Sequence, residues 1–138
     1  MVNRSVIQKR VKKAKEYLDF LNKIKAEYSL REFKGDQMVY GSAERFLYLA
    51  IESLIDIGNH IISDQNLGRV ESYSDIPKIL YENNYIDKEL KEVFIKIVGF
   101  RNILVYDYLD VDLDIVYTII KRNLSDLKNI MKIYIEFL

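Results

Sequence analysis

The chain has 138 residues, 49% of them hydrophobic and 30% charged, with no cysteine and a formal net charge of zero from 21 basic and 21 acidic side chains. That length is enough for one domain with a real core, so residues 1–138 are read as a single domain. Disulfides and thiolate metal sites are excluded by composition, and no apolar run approaches the ~20 residues that a membrane-spanning helix needs.

Met1-Val2-Asn3-Arg4 leads straight into a charged amphipathic pattern instead of a signal peptide, so a cytoplasmic protein is expected. The first helical pattern covers residues 4–33, with Ile7, Val11, Ala14, Leu18, Leu21 and Tyr28 on one stripe that breaks only at Lys25. Gly35-Asp36 interrupts it, and Asp36 is a good N-cap for a second helix over residues 37–65. There Ala43, Leu47, Ala50, Leu54, Ile57 and Ile61 keep the same rhythm, and Asn66-Leu67-Gly68 supplies the stop. A short helix opens at Tyr73-Ser74-Asp75-Ile76-Pro77, with Ser74 or Asp75 as cap and Pro77 in its first turn, and ends near Asn83-Asn84.

A fourth helix begins at Asp87 and carries Leu90, Val93, Ile97, Phe100 and Leu104. The last begins near Asp112, with Leu113, Val116, Ile120, Leu124, Leu127, Met131, Tyr134 and Leu138 in register. No strand competes: the alternating Val111, Leu113 and Ile115 read as a turn and helix start with Asp112 as cap. The expectation is an all-α, up-and-down antiparallel helical bundle of four long helices plus one short helix.

Charge is unevenly spread along this pattern. Residues 1–34 hold ten basic against four acidic side chains, a net of +6, and residues 35–138 balance it with −6. A basic first helix suits RNA phosphates or an acidic partner, and equally a plain solvated face.

The segment that departs from this ordinary pattern is Gly99-Phe100-Arg101-Asn102-Ile103-Leu104-Val105-Tyr106-Asp107-Tyr108. It places an arginine, an amide and two phenols on an otherwise apolar helix, and a buried arginine is costly unless it is paired or holds a ligand. At 100° per residue Arg101 and Tyr108 share a face and Asn102 and Tyr106 share a neighbouring one, so four polar tips would line the C-terminal half of the helix. Gly99 leaves room for close approach. The alternative reading makes the tyrosines core-edge residues and pairs Arg101 with an aspartate after the turn.

The segment resembles the motif of HEPN-domain ribonucleases, in particular the HepT-like toxins, in which Arg-Asn is followed after three residues by His-x-Tyr. The likeness extends to Ala43-Glu44-Arg45, to Leu49-Ala50-Ile51-Glu52 through Asp56-Ile57-Gly58-Asn59-His60-Ile61-Ile62, to Ser72-Tyr73-Ser74-Asp75, and to Val116-Tyr117. It implies a HEPN-like bundle, a homodimer that joins two motifs into one RNA-cleaving cleft, and metal-independent attack by the ribose 2′-hydroxyl without a cofactor. On this resemblance Arg101, Asn102 and Tyr106 are the catalytic residues. Arg101 stabilises charge on phosphorus, Asn102 orients the phosphate, and Tyr106 stands where the histidine would move protons. A phenol with an ordinary pKa near 10 donates at neutral pH but seldom accepts, so attenuated cleavage is expected.

Tyr108 matches the motif's second aromatic. The resemblance makes it the acceptor of nucleotidyl groups from a minimal nucleotidyltransferase (MNT) antitoxin, a modification whose negative charge would block the cleft. The alternative function is a non-catalytic member that dimerises and engages an MNT protein. His60 lies one helical turn from Asp56 and reads as a half-exposed hydrogen-bonding pair, or as a group at the mouth of the cleft. Asp110-x-Asp112-x-Asp114 lacks the glycine and the terminal glutamate of a calcium loop, so no metal site is expected there.

Overall fold

The computed structural model describes residues 4–138, except for the side chain of Tyr108. Seven α-helices follow in order: α1 (Arg4–Glu27), α2 (Leu30–Gly35), α3 (Gln37–Asp64), α4 (Asp75–Glu82), α5 (Lys88–Tyr106), α6 (Leu113–Arg122) and α7 (Leu124–Ile135). A 3-10 turn over Tyr108–Asp110 separates α5 from α6, and the described residues contain no strand. The all-α bundle expected from the sequence is what forms. α1 lies along α3, α7 packs against both, and α4 braces α5 against α3.

The two outer rods are each interrupted. Ser29 breaks the first: its hydroxyl accepts from the Glu32 amide while the Glu32 carboxylate accepts from the Ser29 amide. This capping box starts α2 afresh, and the Ser29 hydrogen bonds hold the Glu32 carboxyl below its usual range. Asn123 breaks the last rod, ending α6 through its backbone N–H and donating from its side chain to Asp126. The other caps follow the sequence. Asp36, Asp87 and Asp112 accept from the first-turn amides of α3, α5 and α6. At α4, Ser74 occupies the cap position without a side-chain bond, and Asp75 instead accepts from the Glu71 and Ser72 amides. Those backbone bonds, that of Ser72 first, lower the Asp75 pKa and tie down the loop that carries Tyr73.

The apolar stripes read from the sequence form the core. Ile7, Ala14, Leu18 and Leu21 of α1 meet Leu47, Ala50, Leu54 and Ile57 of α3, with Leu124, Leu127, Met131 and Tyr134 of α7 against them. The end of α1 is completed from far along the chain. The Tyr117 hydroxyl donates to the Tyr28 carbonyl, and Lys121 Nζ donates to the Lys25 carbonyl at 2.6 Å. These serve carbonyls that a helix terminus otherwise leaves without partners.

Tyr134 holds the one internal conflict. Its hydroxyl is fully buried with no hydrogen-bond partner among the described residues, and burial drives its pKa upward. Gly58 on α3 is the reason the ring fits. A methyl there would overlap the Tyr134 hydroxyl and come within 2.8 Å of Ile76 Cγ2. Gly58→Ala is therefore expected to cost about 1–3 kcal/mol by overpacking, and Tyr134→Phe to add about 1 kcal/mol by removing an unsatisfied hydroxyl. The two should couple in a urea-denaturation double-mutant cycle, with Tyr134→Phe softening the Gly58→Ala loss. The raised pKa fixes a pH dependence as well. Stability from the neutral phenol is complete below pH ~10 and falls as pH rises above it, because the unfolded phenol ionises first. That component should vanish in Tyr134→Phe.

Candidate functional site

Two amphipathic helices and one loop build the site. α3 presents Tyr48 and Glu52, one turn apart, toward α5, which presents Arg101, Asn102 and Tyr106, and the loop before α4 supplies Tyr73. The Arg101 side chain is 12% exposed and paired. Glu52 Oε2 accepts from its Nε at 3.0 Å and from its Nη2 at 2.7 Å, and Asn102 Oδ1 accepts from its Nη1 at 3.0 Å. The Tyr48 and Tyr73 rings flank the guanidinium, with centroids 5.8 and 5.2 Å from Cζ.

Electrostatically the cluster is a mutual clamp. Burial opposes the Arg101 charge, but the Glu52 carboxylate more than offsets it, and the pKa moves up. The same carboxylate, beside the Tyr48 hydroxyl, raises that phenol's pKa, and burial adds to the shift. Of the five N–H donors on a guanidinium, three are engaged among the described residues, which leaves two for a ligand. Two free donors on a fixed planar fork are what a phosphate takes.

An open cleft of about 680 Å³ adjoins this clamp, and Gly99, Arg101, Asn102, Tyr106 and Tyr73 line it. The three residues expected to be catalytic thus face one space. Arg101 and Asn102 touch each other, whereas Tyr106, the last residue of α5, is 74% exposed. The pairing of Arg101 with an aspartate after the turn is not what forms, because Glu52 on α3 reaches it first. The helical projection of Tyr108 onto the Arg101 face also fails. α5 stops at Tyr106, Asp107 leaves the helical region at φ −117° and ψ 35°, and Tyr108 begins the 3-10 turn. The side chain of Tyr108 itself lies outside the described residues.

His60 is engaged elsewhere. Arg10 Nη1 approaches its Nε2 at 2.7 Å, Asp56 lies 3.7 Å from the same nitrogen, and Arg10 Nε pairs with Asp56 at 3.0 Å. This is the half-exposed pair with Asp56, extended by an arginine, and His60 is not among the residues lining the cleft. In the aspartate run, Asp112 caps α6 and Asp114 pairs with Lys34 at 3.1 Å.

Three residues of the site were missed at the level of sequence: Glu52, Tyr48 and Tyr73. The first two carried a usable signal, because a tyrosine and a glutamate one turn apart flank the core stripe of α3. Tyr73 carried none, since its place depends on how the loop is folded by Asp75.

A family model described as "Ribonuclease HepT-like" matches residues 14–133. The chain is 36% identical over 102 residues to the mRNA nuclease HepT of Shewanella oneidensis, covering 74% of this chain and 77% of that protein. It is 30% identical over 109 residues to the tRNA nuclease HepT of Aphanizomenon flos-aquae, covering 78% and 72% respectively. Among solved structures, the tri-AMPylated Shewanella oneidensis HEPN toxin in complex with its MNT antitoxin superimposes with a TM-score of 0.85 at 31% identity, over 99% of this chain and all of that one.

Proposed function

Because the chain belongs to the Ribonuclease HepT-like family, we propose that it is the toxin of a HEPN/MNT toxin–antitoxin module, an endoribonuclease whose cleavage is attenuated by Tyr106. The observation that carries this reading is Arg101, clamped by Glu52 with two N–H donors unspent, beside an open cleft shared with Asn102 and Tyr106. An RNA phosphate seated on those donors has its growing negative charge matched by a guanidinium that need not reorganise. The 2′-hydroxyl attacks the adjacent phosphorus, the bond to the 5′-oxygen breaks, and a 2′,3′-cyclic phosphate and a 5′-hydroxyl result. Tyr106 can donate the proton that the leaving oxygen needs. A phenol is a poorer acceptor than an imidazole for the proton of the attacking hydroxyl, and there the rate is lost.

The partners follow from the same reading: a second copy forming a homodimer and an MNT-type nucleotidyltransferase, in the cytoplasm. No helix of the structure is long and apolar enough to cross a membrane. Tyr108 is the residue on which the antitoxin would act. Co-expression with a cognate MNT protein is expected to add nucleotidyl mass to the intact chain, and Tyr108→Phe to remove it. An unmodified wild-type chain would overturn that control. The exposed Tyr106 also favours a second reading, a non-catalytic member that binds RNA and its antitoxin without cutting. Purified protein incubated with single-stranded and structured RNA separates the two, since cleavage lost on Arg101→Ala belongs only to the first.

A further inference from the structure

Resting on the RNA reading above, we propose that the cleft beside Arg101 is a nucleobase subsite that holds the base next to the phosphate on which Arg101 acts. The cleft is open, and its volume of about 680 Å³ has room for a base. Gly99 is one of its lining residues and adds no side chain to it. Nothing stands within 4 Å of where a Cβ would be, although glycine in a helix interior is a poorer choice than alanine. Its walls carry two phenol rings left in the open, Tyr73 at 43% and Tyr106 at 74% exposure, in a fold that buries Phe33, Phe94 and Tyr134 completely. Uncovered rings beside a phosphate-binding arginine are the elements of a stacking platform for single-stranded nucleic acid.

Two further groups indicate a base rather than more backbone. The Asn59 amide, on α3, lines the cleft and offers a donor and an acceptor side by side, the pattern that a base edge presents. Glu71 lines it too, with its carboxylate paired to Arg69 Nε at 3.5 Å, so this part of the wall carries no net charge to draw a phosphate. Arg101 links the two functions: its guanidinium lies over one face of the Tyr73 ring, 5.2 Å from the centroid, so a base against the open part of Tyr73 has its own phosphate near the arginine.

The test compares a short 2′-O-methyl oligonucleotide, which lacks a free nucleophile, with a strand of the same length made of abasic residues, titrated against purified full-length protein by fluorescence anisotropy. The wild type is expected to bind the strand with bases roughly 5- to 150-fold more tightly, the worth of one stacked base. That preference should be lost in Gly99→Leu, which adds a side chain to the lining, and in Tyr73→Ala, but kept in Tyr73→Phe, which retains the ring. Equal binding of both strands by the wild type would overturn the subsite and leave the RNA reading intact. A preference that survives Gly99→Leu and Tyr73→Ala would place base contact elsewhere and overturn the assignment. Binding of neither strand would overturn the RNA reading and the subsite together.

Discussion

Tyr106→His is expected to raise RNA cleavage about 10²- to 10⁴-fold near neutral pH, the usual worth of a positioned general acid–base group. The position permits the exchange at little structural cost. Tyr106 ends α5, is 74% exposed and lines the cleft with Arg101 and Asn102, so an imidazole enters without displacing core. An exposed imidazole titrates near its unperturbed pKa of about 6.5, so the gain should carry a pH profile that the wild type lacks. Single-turnover cleavage of a defined RNA measured from pH 5 to 9 reads both. If Tyr106→His gains nothing while the wild type also fails to cut, the non-catalytic reading stands.

Arg101→Ala is the second large effect: a loss of roughly 10²- to 10³-fold in cleavage, the range for removing one donor to a developing oxyanion. The fold is expected to lose about 1–3 kcal/mol as well, because Glu52, 30% exposed, is left with a half-buried charge and no cation. Stability and chemistry separate in the double variant. Arg101→Ala with Glu52→Ala should recover most of the lost stability in urea denaturation and none of the cleavage. Glu52→Ala alone leaves the charge of Arg101 in place but frees its fork, so its activity should fall between that of wild type and that of Arg101→Ala. An Arg101→Ala protein that is folded and cuts RNA at the wild-type rate would remove Arg101 from the chemistry.

The bundle was largely legible because burial repeats along a helix. Ile7, Val11, Ala14, Leu18 and Leu21 are buried as the period of the first stripe requires, and so are Ala43, Leu47, Ala50, Leu54, Ile57 and Ile61. The two breaks were not read, for different reasons. Ser29-Leu30-Arg31-Glu32 is a capping-box pattern lying inside a long stripe, where apolar spacing outweighed it. Asn123 sits in register between Ile120 and Leu124, both buried, so the stripe runs on through the kink. The site was half legible. Arg101, Asn102 and Tyr106 lie on one short segment and were found together. The partner of Arg101 lies 49 residues earlier, and only tertiary packing brings Glu52 to it. Tyr108 was projected with a helical period carried past Tyr106, where α5 ends.

The contacts that finish α1 also bear on when this protein can become active. Tyr28 and Lys25 receive their donors from residues 89 and 96 positions further on, and α7 supplies a full side of the core. These contacts form only once the later helices are available, and each carries the closure cost of a long separation. On a ribosome adding ~5–20 residues per second, Glu52 and Arg101 would both have been synthesised several seconds before the scaffold that aligns them can close. The nascent chain would therefore carry every residue of the clamp before the core around it is complete.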